Sequence, residues 1–589
     1  MNEDIPTPWY KFWPEGVPKH IDYQEISLGD VLRNIVKQYP NSQAIYFEGF
    51  RLTYKELDEL VDQFATGLSK LGIKKGDIVG IDLPNIPQFV IAFYALQRIG
   101  ATANPIIPLH RFVEIVHQIN NSKTIALIIL DSLYEVHLHE KDLSKMPSLK
   151  HIILTGIGEY LPKIKALLGK ALGKIPQMKV WPTNKVGNIS FIAFQEILSN
   201  GIPINLPEVK INPKKDVATL IYTGGTTGIP KGVMLTHFNL AANGEQGRTW
   251  MENQIPDLKE FRGKGGVGLV VPLAHVFGIS TGLSSGIISG YKLILFAQPP
   301  EKKAKLLEVL MKEQAIYMPG VPTLWNQINQ DPDAVKFKGK LKEFKAGISG
   351  GASLPEQVKK DFEEMTGALI IEGYGLSETT SGLCIGPFYK FKVNTVGFPL
   401  PDTFVKIVDI DDGKTLVPQC PDDESTNNPD YFGEICAFGP QITLGYLGNE
   451  EETNHALRKD EKDRIWLYTA DIGCIDKDGY LMIKDRKRDM IKYKGHGVFP
   501  AEVENLMYQN DAIREVGVIG VPHPDGTGET IKAYVSLKAD YIGKVTKESL
   551  QEWCKENISP YKYPRIIEII DDLPKSMVGK ILRRQLREM

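Results

Sequence analysis

The sequence predicts an α/β protein: a large N-terminal domain of layered α/β subdomains followed by a small α/β C-terminal domain. Three observations predict it. Short apolar runs of strand type alternate with helical patterns through most of the chain, and strands separated by helices form layers with largely parallel sheets. The 589 residues exceed what one hydrophobic core supports. A dense charge run, Asp485 to Asp489 (DRKRD), is followed by a change of pattern.

Taken in order, Asp77 to Leu83 (DIVGIDL) reads as a buried strand, Gln88 to Ile99 as a helix and Ala101 to Ile107 as a strand. Thr124 to Leu130, His151 to Thr155 and Ala218 to Tyr222 are further strands of β-branched and apolar residues. Pro421 to Tyr431 (PDDESTNNPDY) is acidic and turn-rich, which predicts a solvent loop. Beyond the charge run, Ala501 to Gln509 and Lys547 to Asn557 read as helices, and Ile513 to Val521 and Ala533 to Lys538 as strands. That series has the size of a small domain. The expected division is 1–487 and 488–589, with the boundary near Lys487 or Arg488.

Composition excludes several classes. The formal net charge of −3 provides no global basic field for nucleic acid. The five cysteines, Cys384, Cys420, Cys436, Cys474 and Cys554, form no C-x-x-C pair, which argues against structural zinc and against a disulfide framework. The N-terminus lacks a basic segment followed by an apolar stretch, and no window reaches the ~18 apolar residues of a span. The expected location is cytoplasmic. Tyr160 to Lys179 stands apart, with five lysines and no acid. Leu161, Ile164, Leu168, Leu172 and Ile175 recur there at helical spacing, so a peripheral membrane contact and a solvated lysine face are both open.

The chemistry concentrates in Ile221 to His237 (IYTGGTTGIPKGVMLTH). A strand runs into Thr223, Gly224, Gly225, Thr226, Thr227 and Gly228, and Lys231 follows. Glycines let backbone N–H groups turn towards an anion. The hydroxyls add donors and the lysine a positive charge, so the string describes a phosphate cradle. It is not a P-loop, because Pro230 occupies the position before the lysine where that motif requires Gly.

This string resembles the signature loop of the adenylate-forming superfamily, which includes acyl-CoA synthetases, 4-coumarate–CoA ligases and firefly luciferase. Further motifs follow in the family's order. Gly350 to Pro355 (GGASLP), with Gly351, Ala352 and Ser353, resembles the adenine-binding turn. Glu372, Gly373, Tyr374, Gly375, Leu376, Ser377, Glu378 and Thr379 resemble the nucleotide and magnesium motif. Tyr468 to Asp471 (YTAD) resembles the ribose-binding motif, and the charge run with Ile491 to Gly495 (IKYKG) resembles the hinge and thioester-step loop. Pro574 to Lys580 (PKSMVGK) resembles the C-terminal lysine motif. The resemblance spans about Ser27 to Arg587.

The resemblance implies a β-barrel-like part in the large domain, a mobile C-terminal lid and two half-reactions. A carboxylate attacks the α-phosphate of ATP to give acyl-AMP and pyrophosphate, and a thiol then displaces AMP. It implies Mg²⁺ as cofactor, held by Thr223 and Glu378, and ATP and coenzyme A as co-substrates. Tyr374 would face adenine, while Asp471 and Arg486 would bind ribose. Lys580 would bridge the carboxylate and phosphate. The hinge would be Arg488, with Lys492 touching the adenylate and Lys494 and Gly495 beside the pantetheine in the second conformation. His275, Phe277, Ile279, Val321 and the Gly347–Ser349 strand end would line the acyl pocket.

The opening PWYKFWPEGVP, the basic insert and Glu372, where many relatives carry Gln, lean towards long-chain fatty-acid–CoA ligases. The expected function is activation of a medium- or long-chain fatty acid followed by thioesterification to coenzyme A. Only nine residues follow Lys580, which favours free coenzyme A as acceptor. A ligase for a short, hydroxy or aryl acid, and an enzyme loading a carrier protein, are the alternatives.

Overall fold

The computed structural model describes residues 4–173, 175, 178, 182, 185–223, 230–487, 489–493, 496–523, 529–575 and 581–589. Two large sheets dominate. The first runs, in spatial order, through Phe398–Pro399, Cys384–Ile385, Leu369–Tyr374, Ala346–Ser349, Ala315–Gly320, Gly266–Leu269, Lys292–Leu295, Gln43–Phe47 and Phe50–Thr53. The second runs through Lys231–Thr236, Val217–Thr223, Thr102–Pro105, Ile78–Asp82, Ala126–Leu130, His151–Thr155, Ile189–Ala193 and Lys185–Val186. Both are parallel at their centres and antiparallel at their edges. The α/β class holds, and the strands predicted from apolar runs form the parallel centre of the second sheet.

Parallel strands need covering on both faces. The helix Pro87–Ile99 does this as a fully buried element, with every residue inside. It opens on Pro87 and stops at Gly100, whose φ of 69° makes the left-handed cap. The largest core cluster joins this helix to residues of both sheets.

A third, antiparallel sheet joins Phe404–Val408, Gly433–Phe438, Ile465–Ile475, Leu457–Lys459 and Leu481–Arg486. Its strand order is open. Pro421 to Tyr431 is a mostly exposed loop, as predicted, tightened by two 3₁₀ turns.

After residue 487 the described strands pair only among themselves, in the hairpin Ile491–Tyr493/His496–Val498 and the sheet Ile513–Pro522, Glu529–Leu537, Ile566–Ile569. These elements have their own core around Val503, Val516, Ile531 and Leu550. All five cysteines are free and buried. No described helix is long and apolar enough to cross a membrane.

Lys163–Ala171 is the one helical stretch of Tyr160 to Lys179 among the described residues. It is shorter than the apolar spacing predicts, because Pro162 precedes it and Gly173, at φ 62°, follows its last turn. None of its residues is buried.

Candidate active site

One cleft of about 2560 Å³ is lined by most of the described motif residues. That exceeds the 300–1,000 Å³ usual for a single small ligand and leaves room for several substrates. Its floor is the carboxyl ends of neighbouring parallel strands, where ligands of open α/β sheets bind. Ala346–Ser349 leads into the Gly350–Pro355 turn, and Leu369–Tyr374 leads into Gly375–Thr379.

One cluster of the cleft is built around Asp471. Asp471 and Arg486 face each other across antiparallel strands, so their side chains share one face. Arg486 Nε lies 2.9 Å from Asp471 Oδ1, and the Tyr374 hydroxyl donates to Asp471 Oδ2 at 2.6 Å. Asp471 is 3% exposed. Its charge holds the Arg486 guanidinium above its ordinary pKa, while burial and that same carboxylate keep Tyr374 protonated. Beside it, Ala470 sits at φ 58°, a left-handed conformation that only Gly adopts without strain. Glu434 Oε1 accepts the Ala470 N–H at 3.1 Å and steadies it.

The Gly350–Pro355 turn is pinned from below. Gly351 has φ 85°, and Leu354 N donates to Glu372 Oε1 at 3.2 Å. Burial raises the Glu372 carboxyl to about 8, so it is a neutral acid at pH 7. Gly375 is required by close approach: a Cβ there would stand 1.3 Å from Ser381 O. Thr380 and Ser381, at φ 52° and 88°, carry the strain of that turn. Ser377 is buried just behind it.

Thr223 and Lys231 are direct partners of an antiparallel pair and therefore share a face. Lys231 Nζ sits 2.7 Å from Glu452 Oε1 and 5.6 Å from the Tyr446 ring centre. The Tyr446 hydroxyl donates to Glu378 Oε1 at 2.7 Å. Thr223 and Glu378 offer a hydroxyl and a carboxylate oxygen. No cluster of three His, Cys, Asp or Glu among the described residues could hold a metal by itself. That donor set fits Mg²⁺, which takes one or two carboxylates and fills its shell with phosphate and water.

An apolar wall adjoins the Gly350–Pro355 turn: a Cβ on Gly350 would lie 3.3 Å from Phe277 Cζ. His275, Phe277 and Ser349 line the cleft. His275 Nδ1 accepts the Phe277 N–H at 3.2 Å, and Ser349 Oγ, fully buried, has no hydrogen-bond partner among the described residues. Ile279 is not brought to the cleft; it is fully buried in the main core. The physical reason is the helical period. Gly278–Ser284 forms a π-helix, so residues four apart share a face and residues two apart oppose. Phe277, Thr281 and Ser285 line the cleft, and Ile279 faces away. Val321 and Gly347 are also absent from the lining; Val321 packs on a second core cluster, and Gly347 abuts Trp325.

Gly224, Gly225, Thr226, Thr227, Arg488, Lys494, Gly495, Lys580 and the Lys492 side chain lie outside the described residues. Arg583 is a residue that sequence reasoning missed. Arg583 Nη1 contacts Asp485 Oδ1 at 2.8 Å and its Nη2 contacts Glu504 Oε2 at 2.8 Å. Ala501 N donates to Asp485 Oδ2 at 2.8 Å. Tyr446, Glu452 and Glu434 were likewise missed, since only the fold brings them to the motifs.

The AMP-binding enzyme family model matches residues 32–447, and that of the AMP-binding enzyme C-terminal domain matches residues 502–580. The chain is 34% identical over 582 residues to a long-chain-fatty-acid–CoA ligase of Bacillus subtilis (strain 168), covering 99% of this chain and 98% of that protein. It is 33% identical to the enzyme of that name from Escherichia coli O157:H7, with 98% of each chain covered. The crystal structure of ATP-bound MatB from Rhodopseudomonas palustris shares the fold, with a TM-score of 0.75 at 22% identity over 96% of this chain and 99% of that one. With the cleft, the ordered motifs and these matches in agreement, the chain belongs to the AMP-binding enzyme family.

Proposed function

We propose that this chain is an AMP-forming fatty-acid–CoA ligase acting on medium- or long-chain acids. RCOO⁻ and ATP give acyl-AMP and pyrophosphate; the thiol of coenzyme A then attacks the acyl carbon, loses its proton, and AMP leaves. The observation that carries this reading is the meeting of two surfaces in one cleft. The sugar-binding group of Tyr374, Asp471 and Arg486 and the phosphate-facing Lys231 line it. So does the apolar wall of Val276, Phe277 and Ile348, which suits an alkyl chain. The relatives named as long-chain-fatty-acid–CoA ligases point to the same substrate.

In this reading Thr223 and Glu378 would hold Mg²⁺, which would supply charge neutralisation at the phosphates. The chain's own residues position the reactants: Tyr374 covers adenine, Asp471 and Arg486 fix the ribose, and Gly224 to Thr227 cradle the phosphates. Attack joins two anions, so catalysis is mostly placement and charge neutralisation, with Lys580 completing the cationic set. Residues 488–589 act as a lid turning about Arg488, which exchanges Lys580 for Lys492, Lys494 and Gly495 between the half-reactions. AMP release with coenzyme A, measured across acids from C2 to C18, tests the substrate. Rates rising from C8 to C18 support it; a peak at C2 to C4 or with aryl acids eliminates it.

The helix Lys163–Ala171 favours a peripheral contact with an anionic membrane, which would place the enzyme where its acids partition. Ile164, Leu167, Leu168 and Leu172 are 76%, 70%, 55% and 65% exposed, an apolar face set among lysines and too contiguous for an ordinary solvated helix. Binding to vesicles containing phosphatidylglycerol, lost in Leu167→Glu/Leu168→Glu and absent with neutral vesicles, is the expected result. Equal binding by that variant rejects the contact.

A further inference from the structure

The segment Thr443–Leu447 lies along the strand Lys231–Thr236. Met234 N donates to Gly445 O at 2.9 Å and Leu447 N to Gly232 O at 2.8 Å. The other side of the segment is tied to the magnesium motif, with Thr443 N donating to Glu378 O at 2.9 Å. Asn239, in the capped first turn of the helix His237–Glu252, donates to Pro440 O and Ile442 O at 2.8 and 3.0 Å. The segment is therefore held by the two elements that carry Lys231 and Glu378.

Tyr446 is the side chain that joins them. Its hydroxyl donates to Glu378 Oε1 at 2.7 Å, and its ring lies 5.6 Å from Lys231 Nζ. Thr453 Oγ1 accepts the Tyr446 N–H at 2.9 Å, which anchors the residue's own backbone. The ring is half-buried against the core. A carboxylate with one oxygen committed at this distance loses much of its rotational freedom, and a hydrogen bond to a charged acceptor is the strong kind.

We propose that Tyr446 is a positioning residue of the nucleotide site: its hydroxyl fixes the Glu378 carboxylate in the orientation that receives the phosphate-bound cation. Tyr446 makes no claim on the reacting atoms and acts through Glu378. The proposal rests on the reading of this cleft as an ATP site, and its test separates the two.

The test is calorimetric titration of ATP with excess Mg²⁺ and, separately, with EDTA. Tyr446→Phe keeps the ring and removes only the hydroxyl. The expected result is a roughly tenfold or greater loss of MgATP affinity with unchanged affinity for ATP in EDTA. Glu378→Gln should show the same pattern, and the double variant should lose no more than Glu378→Gln alone. Wild-type affinity in Tyr446→Phe, or equal loss with and without metal, overturns the proposal, the second outcome indicating a merely structural role. Full additivity in the double variant also overturns it. Absence of MgATP binding by the wild type would overturn the ATP reading and the proposal with it.

Discussion

Asp471 is held by two partners: an ion pair with Arg486, Nε to Oδ1 at 2.9 Å, and a hydrogen bond that the Tyr374 hydroxyl donates to Oδ2 at 2.6 Å. Asp471→Asn keeps the shape and replaces one acceptor oxygen with a donor. One of the two partners then faces a donor in a site that is almost closed to water. ATP affinity should fall about 10- to 100-fold, the worth of a hydrogen bond to a charged group, in a calorimetric titration. Wild-type affinity would remove Asp471 from the sugar site.

Glu372 gives a pH prediction. Its folded pKa of about 8 lies above the usual 4.5 because the carboxyl is buried. Between those values the folded chain holds a proton that the unfolded chain has lost, so stability falls as pH rises through this window. Glu372→Gln, neutral at every pH and still able to accept from Leu354 N, removes that slope. Thermal midpoints of the two proteins should be close at pH 4.5 and diverge by pH 8.5, with the variant higher. A constant gap between the two curves would contradict the assignment.

Arg583 reaches Asp485 while also holding Glu504. Burial raises the Glu504 carboxyl, and the guanidinium opposes that shift. Arg583→Met leaves enclosed carboxylates without a cation and should destabilise the chain by about 3 kcal/mol, read as a lower denaturant midpoint. A change below about 0.5 kcal/mol, the scale of an ordinary surface substitution, would mean that the cluster is solvated.

The two-step scheme predicts a division between Lys580 and Gly495. Lys580→Ala should lower acyl-AMP formation by about a hundredfold or more, the scale of a lost transition-state contact. It should leave thioester formation from supplied acyl-AMP largely intact. Gly495→Leu should do the reverse. Equal loss of both half-reactions in either variant speaks against a lid that exchanges the two.

Elements whose identity rests on local pattern were legible in the sequence. His151–Thr155 and Lys547–Asn557 have the predicted bounds, because an apolar β-branched run and a periodic helix declare themselves over a few residues. Tyr374, Asp471 and Arg486, singled out by separate motifs, meet in space. Ile279 was misplaced because a helical stretch was read without its period. Tyr446, Glu452 and Arg583 were invisible for a different reason. Their partners Glu378, Lys231 and Asp485 are distant in sequence, and no local signal marks a side chain that only the fold delivers. The basic helix was legible in charge and apolar spacing but not in length, since Pro162 and Gly173 set its ends.

The central claim is that a carboxylate is activated through AMP. Its most direct measurement is exchange of labelled pyrophosphate into ATP with purified protein, with and without a C16 fatty acid and before coenzyme A is added. The account predicts exchange that requires the acid and Mg²⁺, and AMP, not ADP, released once coenzyme A is supplied. Exchange independent of any acid, or release of ADP and phosphate, would contradict it.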